Sequence, residues 1–114
     1  MKLKEIATIL NAKIACGDER LEYEVTMGYS SDLMSDVLTL DTDNLLLITG
    51  LVNIQAIRTA EMADIKAIVF VRNKKASQLI VDLAKENGMC ILESPYSLFK
   101  SSGLLYAAGL QPIY

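Results

Sequence analysis

Three short apolar runs, each followed by a turn and a segment of helical character, most constrain the fold of this chain. With their turns, they span Leu45–Gly50, Ala67–Asn73 and Met89–Pro95. Runs of this length with apolar residues on both faces suit strands buried on both sides, as in a parallel sheet covered by helices. The pattern therefore predicts a three-layered α/β domain with a mostly parallel central sheet, whose strand ends gather along one edge.

Apolar periodicity and capping residues place the other elements around these strands. Asn73 is predicted to cap a helix over Lys74–Asn87, and Ser94-Pro95 is predicted to open the last helix. Four residues of the Lys74–Asn87 helix are expected to face inward: Leu79, Ile80, Leu83 and Ala84. The remaining predictions are helices over Leu3–Leu10, Asp32–Leu38 and Asn53–Ala63, and strands over Ala12–Cys16 and Val25–Tyr29.

Composition and charge exclude two classes of partner. A chain of 114 residues, 52% hydrophobic and 22% charged, is expected to form one globular domain over residues 1–114. Its net charge is −3, and its densest basic cluster is Arg72, Lys74 and Lys75. Nucleic-acid binding needs more clustered cations, and no apolar stretch reaches the length of a membrane helix. We therefore expect neither a nucleic acid nor a membrane as partner.

Histidine is absent, and the two cysteines, Cys16 and Cys90, stand far apart in the sequence. A metal site needs clustered ligands, so we expect no metal and no cofactor. Cys90 lies inside an apolar run and is predicted to be a core residue. Two isolated cysteines, together with a charged amphipathic start at Met1 that lacks the features of a signal peptide, indicate a reducing, cytoplasmic location.

The first set of candidate ligand-binding residues lies around two predicted strand–helix turns. It comprises Gly28, Ser30, Ser31, Asp32, Thr49, Gly50 and Asn53. A glycine inside a strand often marks the close approach of another backbone or of a ligand, and a turn before a helix N-terminus favours an anion. The alternative is that these polar residues only cap helices and close turns, since neither a dinucleotide fingerprint nor a P-loop is present.

The second set follows the next two strands and comprises Arg72, Asn73, Lys74 and Tyr96. The cations are suited to hold a phosphate or a carboxylate. Lysine in the first turn of a helix is unfavourable against the helix dipole, which indicates an anionic partner. Tyr96 is suited to stack on a flat ligand, and a place in the core or in a dimer interface explains it equally well.

No catalytic constellation is visible in the sequence. A serine nucleophile at Ser30 or Ser31 needs a general base, and the usual histidine is missing. The acidic residues are scattered, with no pair at a spacing that singles out acid–base chemistry. We therefore predict that the chain is not an enzyme.

The segment Leu104–Leu110 is more apolar than the exposed surface of a helix should be. Burial against a second copy of the chain explains this, and packing onto the chain's own sheet explains it almost as well. The first alternative predicts a homodimer.

The span from Asn11 to Leu110 resembles the DRTGG domain family. The matching pieces are Gly17-Asp18, Val25–Tyr29, Leu46–Gly50, Asn53–Gln55, Ala67–Val69, Ala84–Leu92 and Ser94–Phe99. The resemblance implies an α/β domain, similar to the N-terminal domain of HPr kinase/phosphorylase, that elsewhere accompanies CBS, phosphotransacetylase-type or cobyrinate-synthase-type domains. It implies a regulatory or dimerising role rather than catalysis.

This chain departs from the family at the residues that name it. The family's Gly-Asp-Arg falls on Gly50-Leu51-Val52, and its Thr-Gly-Gly falls near Phe70-Val71-Arg72. The resulting prediction is a non-catalytic, homodimeric regulatory module that binds a small anionic or nucleotide-like ligand, or a partner protein, along the sheet edge. The alternative is a purely structural protein–protein interaction module whose ligand site is degenerate.

Overall fold

Six strands form one sheet in the computed structural model, which describes residues 1–114. They are β1 (Lys13–Cys16), β2 (Met27–Ser30), β3 (Leu45–Thr49), β4 (Ala67–Phe70), β5 (Cys90–Glu93) and β6 (Gln111–Pro112). Their order in the sheet is β1-β5-β4-β3-β2-β6, and every neighbouring pair is parallel except β1 and β5. The predicted α/β fold with a mostly parallel central sheet is therefore confirmed.

Helices cover both faces of this sheet. The α-helices are α1 (Leu3–Ile9), α2 (Met34–Val37), α3 (Ile54–Met62), α4 (Gln78–Glu86) and α5 (Leu98–Ala107), and a short 3-10 helix spans Asp18–Arg20. One buried cluster joins α2, α3 and α4 to the sheet face that carries Leu45, Leu47 and Ile68. A second cluster joins α1 and α5 to the opposite face, which carries Leu46 and Ile48. None of the helices combines the length and the apolar character needed to cross a bilayer.

The central strands form because apolar residues occupy both of their faces. All five residues of β3 and all four of β4 are buried. Successive side chains of a strand point to opposite faces, so each strand contributes to both clusters. Cys90 is also fully buried, which confirms its predicted place in the core.

Three helix starts differ from the prediction. The helix expected over Asp32–Leu38 begins at Met34 as α2, and Asp32 bonds to Gly50 instead of capping it. The helix expected from Lys74 begins at Gln78 as α4, and its cap is Ser77, whose Oγ accepts from the Ile80 N–H. The cause lies upstream, where Arg72 and Asn73 adopt left-handed conformations with φ of 66° and 59°. These conformations end the strand in a loop and delay the helix.

The last helix begins at Leu98 rather than after Ser94-Pro95. Its cap is Ser97, whose Oγ accepts from the Lys100 N–H. Ser94 is buried instead, and its hydroxyl donates to the carbonyl of Leu10 at 2.7 Å. This tertiary hydrogen bond places Ser94 under α1.

The predicted inward face of α4 is only partly right. Ile80 and Ala84 are buried, whereas Leu79 is 68% exposed. Residues four apart share one face of a helix, and Leu79 lies about 100° around the helix from Ile80. Leu79 therefore points away from the sheet.

The segment after α5 folds back onto the sheet. Leu110 is buried in the chain's own core together with Leu105 of α5, and β6 pairs with β2. Gly28 makes room for this segment, because a Cβ at Gly28 would lie 2.8 Å from Leu110 Cδ2. Its expected close approach is thus to a side chain of the same chain.

Candidate functional site

The carboxyl ends of the parallel strands β2 to β5 lie at one edge of the sheet, and the turns that follow them are in contact. Asp32 bonds to Gly50, and the aliphatic part of Arg72 lies against Gly50, with its Cδ 3.4 Å from where a Cβ would stand. The Arg72 backbone N–H in turn donates to the Tyr96 carbonyl at 2.7 Å. Asp32, Gly50, Arg72 and Tyr96, each from a different turn, are therefore linked by contacts along this edge.

The turn after β3 is closed by the Asp32 carboxylate. Asp32 Oδ1 accepts from the Gly50 N–H at 2.7 Å and from Thr49 Oγ1 at 2.9 Å. Thr49 Oγ1 also accepts from the Leu51 N–H at 3.1 Å. Two backbone donors of this turn, the N–H groups of Gly50 and Leu51, are therefore occupied by side chains of the protein.

Two cations lie beside this turn. Lys74 Nζ donates to the Gly50 carbonyl at 2.7 Å, and the Arg72 side chain is exposed. The left-handed backbone of Arg72 and Asn73 lets both N–H groups bond back to the turn after β5, with Asn73 donating to the Ser94 carbonyl at 3.0 Å. Because Lys74 lies in this loop and not in a helix, the helix-dipole argument for an anion at Lys74 is wrong.

Lys100 joins this group and was missed by the sequence analysis. Its Nζ lies 3.9 Å from the centroid of the Tyr96 ring, a cation–π contact. Lys100 occupies the first turn of α5, where a cation is unfavourable against the helix dipole. The dipole argument for an anionic partner therefore applies to Lys100 and not to Lys74. We call Arg72, Lys74, Tyr96 and Lys100 the edge cluster.

The edge cluster has an excess of positive charge. Lys75 pairs with Glu93 at 3.9 Å, and Glu93 Oε2 also accepts from the Ala76 N–H. Arg72, Lys74 and Lys100, in contrast, form no salt bridge within 4.0 Å. Three cations are thus left without a carboxylate partner.

Several residues of the predicted set lie apart from the edge cluster or serve the backbone. Asn53 caps α3 by accepting from the Ala56 N–H, as its capping role predicted. Ser31 Oγ accepts from the Leu33 N–H at 3.0 Å and closes the turn before α2. Ser30 and Gly28 line a different surface, a cleft between β2 and α5. The predicted residues therefore fall on two neighbouring surfaces.

The cleft has a volume of about 350 Å³ and is bounded by α5, β2 and the segment leading to β6. Four α5 residues form one wall: Phe99, Ser102, Gly103 and Tyr106. Their spacing of i, i+3, i+4 and i+7 is that of one helix face and is visible in the sequence. Which surface this face opposes depends on β6, an element that the sequence analysis did not predict.

The two cysteine thiols lie in the core. Burial raises the pKa of Cys90 to about 12 and also raises the pKa of Cys16. A nucleophilic cysteine needs the thiolate form, which these environments disfavour. No group of three or more cysteine, aspartate or glutamate side chains is placed to hold a metal ion.

Comparison with known proteins gives a fold but no close relative. No model of a known protein family matches the sequence, and no curated protein is significantly similar to it. The structure is similar to the CBS and DRTGG domains of the regulatory region of Clostridium perfringens pyrophosphatase, solved with its activator diadenosine tetraphosphate. The TM-score is 0.76 at 17% identity, over 91% of this chain and 45% of that one. Taken with the sequence resemblance, this likeness shows that the chain has a DRTGG-like fold.

Proposed function

We propose that this domain is a non-catalytic regulatory module that senses a phosphate-bearing, nucleotide-like ligand at the edge cluster. The observation that carries the proposal is a set of three cations without a carboxylate partner at one sheet edge: Arg72 and Lys74 lie beside Gly50, and Lys100 lies over the Tyr96 ring. Arginine can bind two phosphate oxygens at once, and lysine adds a mobile point charge. Cationic side chains, rather than the backbone amides of the turn after β3, are therefore the main source of recognition for the ligand.

The structural neighbour supports the class of ligand. The regulatory region of that pyrophosphatase was solved with diadenosine tetraphosphate, a molecule that joins phosphates to aromatic rings. The likeness is to a regulatory region and not to a catalytic one, which supports a non-enzymatic role. This chain spans about half the length of that region, so the shared ligand class enters here as a proposal.

A cytoplasmic site of action belongs to the same proposal. Both cysteines are free thiols in the structure. Free thiols are usual in a reducing compartment, where disulfides are rare.

The test is a calorimetric titration with pyrophosphate, acetyl phosphate, ATP and diadenosine tetraphosphate, backed by thermal unfolding. A ligand present at 100 times its dissociation constant should stabilise the fold by about 2.7 kcal/mol. The double variant Arg72→Ala/Lys74→Ala should lose most of the affinity and keep the fold.

Arg58→Ala is the matched control, because Arg58 is an exposed arginine that lines the separate groove between α3 and α4. Equal losses in the Arg72 and Arg58 variants would show a general charge effect and contradict the edge site. Absence of binding by all four phosphates would contradict the proposed function.

The second candidate function is assembly, as a homodimer or with a partner protein. The observation that favours it is the exposure of Met62 on α3 and Leu79 on α4, each 68% exposed on the same helical layer. Light scattering should then show a dimer, and Leu79→Glu should dissociate it. A monomeric wild-type protein would exclude the homodimer.

A further inference from the structure

The cleft between α5 and β2 has the size of a small-molecule site. Its volume of about 350 Å³ falls in the range of ligand pockets, roughly 300–1,000 Å³. Its floor is apolar, with Ile48, Leu105 and Leu110, and none of its eleven lining residues is charged. An occupant should therefore be uncharged and largely apolar.

Two aromatic side chains stand at either end of the α5 wall. Phe99 is 91% exposed and Tyr106 is 70% exposed, although large aromatic side chains are normally covered. Seven residues of helix separate them by about 10 Å along the axis. Stacked aromatic rings have centroids roughly 4.5–7 Å apart, so one flat ring fits between these two.

Gly103 keeps the space between the two aromatic residues open. A Cβ built at Gly103 meets no atom within 4 Å, and its backbone is not left-handed. Gly103 lies inside α5, where glycine is destabilising relative to alanine. Neither backbone conformation nor local packing requires a glycine here, whereas an open gap for a ring does.

The polar end of the cleft presents hydrogen-bond acceptors. Ser102 Oγ donates its single proton to the Leu98 carbonyl at 2.7 Å. The short contact of 2.6 Å between the Ser30 and Ser102 hydroxyls must then use the Ser30 proton. Both protons are consumed within the protein, so the remaining lone pairs can only accept. A ligand group at this end must therefore bring an N–H or O–H donor.

We propose that this cleft binds a flat, uncharged heteroaromatic ring with an amino donor, the chemical class of adenine and cytosine. Phe99 of the cleft directly precedes Lys100 of the edge cluster in α5. The joining of ring and phosphate into one nucleotide rests on the function proposed above. The ring site itself rests on the cleft, the two aromatic residues and the hydroxyl pair.

The test uses adenosine, which carries no phosphate, in an NMR titration of the ¹⁵N-labelled protein. Amide signals of Ser30, Gly103 and Tyr106 should shift together. Purine riboside, which lacks the amino group, should bind about threefold to tenfold more weakly, as expected for one lost hydrogen bond. Absence of shifts at these residues, or equal affinity for the two nucleosides, would overturn the proposal.

Gly103→Leu is the decisive variant, since it fills the gap and favours the helix. It should fold with a melting temperature at or above that of the wild type, and it should bind adenosine at least tenfold more weakly. Unchanged adenosine binding by Gly103→Leu would overturn the ring site.

Arg72→Ala separates the ring site from the phosphate site, because it should lose phosphate binding and retain adenosine. Failure of the phosphate titrations alone would thus contradict only the edge cluster. If the wild type is a dimer that Gly103→Leu dissociates, and adenosine does not bind, a second copy occupies the cleft and the ring proposal is wrong.

Discussion

Asp32 Oδ1 lies 2.7 Å from the Gly50 backbone nitrogen and accepts its hydrogen bond, so a carboxylate of the protein occupies a backbone donor beside Arg72 and Lys74. The same oxygen accepts from the Thr49 hydroxyl at 2.9 Å. The turn after β3 is therefore already bound to an anion supplied by the chain. An external phosphate must bind beside this carboxylate, despite the repulsion between the two negative charges.

Asp32→Asn should strengthen phosphate binding and weaken the fold. The amide oxygen can keep the bond to Gly50, but the repulsive charge is lost, so pyrophosphate affinity should rise about twofold to fivefold. Exchanging charged acceptor bonds for neutral ones should lower the free energy of unfolding by about 1 kcal/mol. Calorimetry and urea denaturation measure the two effects. Weaker pyrophosphate binding would show that Asp32 helps to form the site.

Gly17→Ala and Gly103→Ala should change stability in opposite directions. Gly17 has a φ of 87°, and a Cβ there would lie 2.5 Å from the Cα of Cys90 in β5. Left-handed strain and the forced movement of β5 should together cost at least about 2 kcal/mol. Gly103→Ala should stabilise the protein by up to about 1 kcal/mol through helix propensity. Urea denaturation of both variants checks this, and a stable Gly17→Ala would refute the close approach to β5.

The buried thiols should be unreactive in the folded protein. Burial raises the pKa of Cys90 to about 12, and Cys16 is also buried, so neither thiolate is populated or accessible near neutral pH. Labelling with iodoacetamide should proceed at the rate of unfolding and become fast in denaturant. Mass spectrometry counts the labelled sites. Rapid labelling of either cysteine under native conditions would contradict its placement in the core.

Glu22 should make stability depend on pH in the acid range. Hydrogen bonds and charges from Lys2 and Lys4 lower the pKa of Glu22 from its ordinary 4.5 to about 2. A carboxyl with a lower pKa in the folded state stabilises the fold above pH 4.5, and this contribution disappears as the pH falls from 4.5 towards 2. The effect should be small and sensitive to salt, because Glu22 is exposed.

The measurement is the urea midpoint of wild type and Glu22→Gln between pH 6 and pH 2. The two proteins should differ at pH 6 and converge at the acid end. A constant difference across this range would show that Glu22 acts through packing and not through its charge.

The central strands could be predicted because their evidence is local. Leu45–Ile48 and Ala67–Phe70 are apolar on both faces, a pattern that leaves few structures besides a covered strand. The first residues of the helices were harder to predict, because several serine and asparagine residues are equally suited to cap a helix. Ser77 and Ser97 became caps, whereas Asn73 took a left-handed conformation and Ser94 found a partner 84 residues away.

The candidate sites depended on contacts that no local pattern contains. Ser30 and Ser102 are 72 residues apart in sequence, and their hydroxyls meet only because β2 and α5 are neighbours. The contact between Lys100 and Tyr96 is local by comparison, because the two residues are only four positions apart and Lys100 lies in the first turn of α5. The sequence could therefore indicate the sheet edge, but not the division of its residues between a cationic cluster and an apolar cleft.

The antiparallel pairing of β1 with β5 has a consequence for the order in which the chain can fold. Lys13 stands opposite Glu93, so β1 leaves the ribosome well before the strand with which it pairs. Closing so long a loop carries an entropic cost before any contact compensates for it, which slows folding. Until then, β1 has no neighbouring strand, and α1 has no completed sheet beneath it. The nascent chain therefore stays open to other binders, chaperones among them, until β5 has been synthesised.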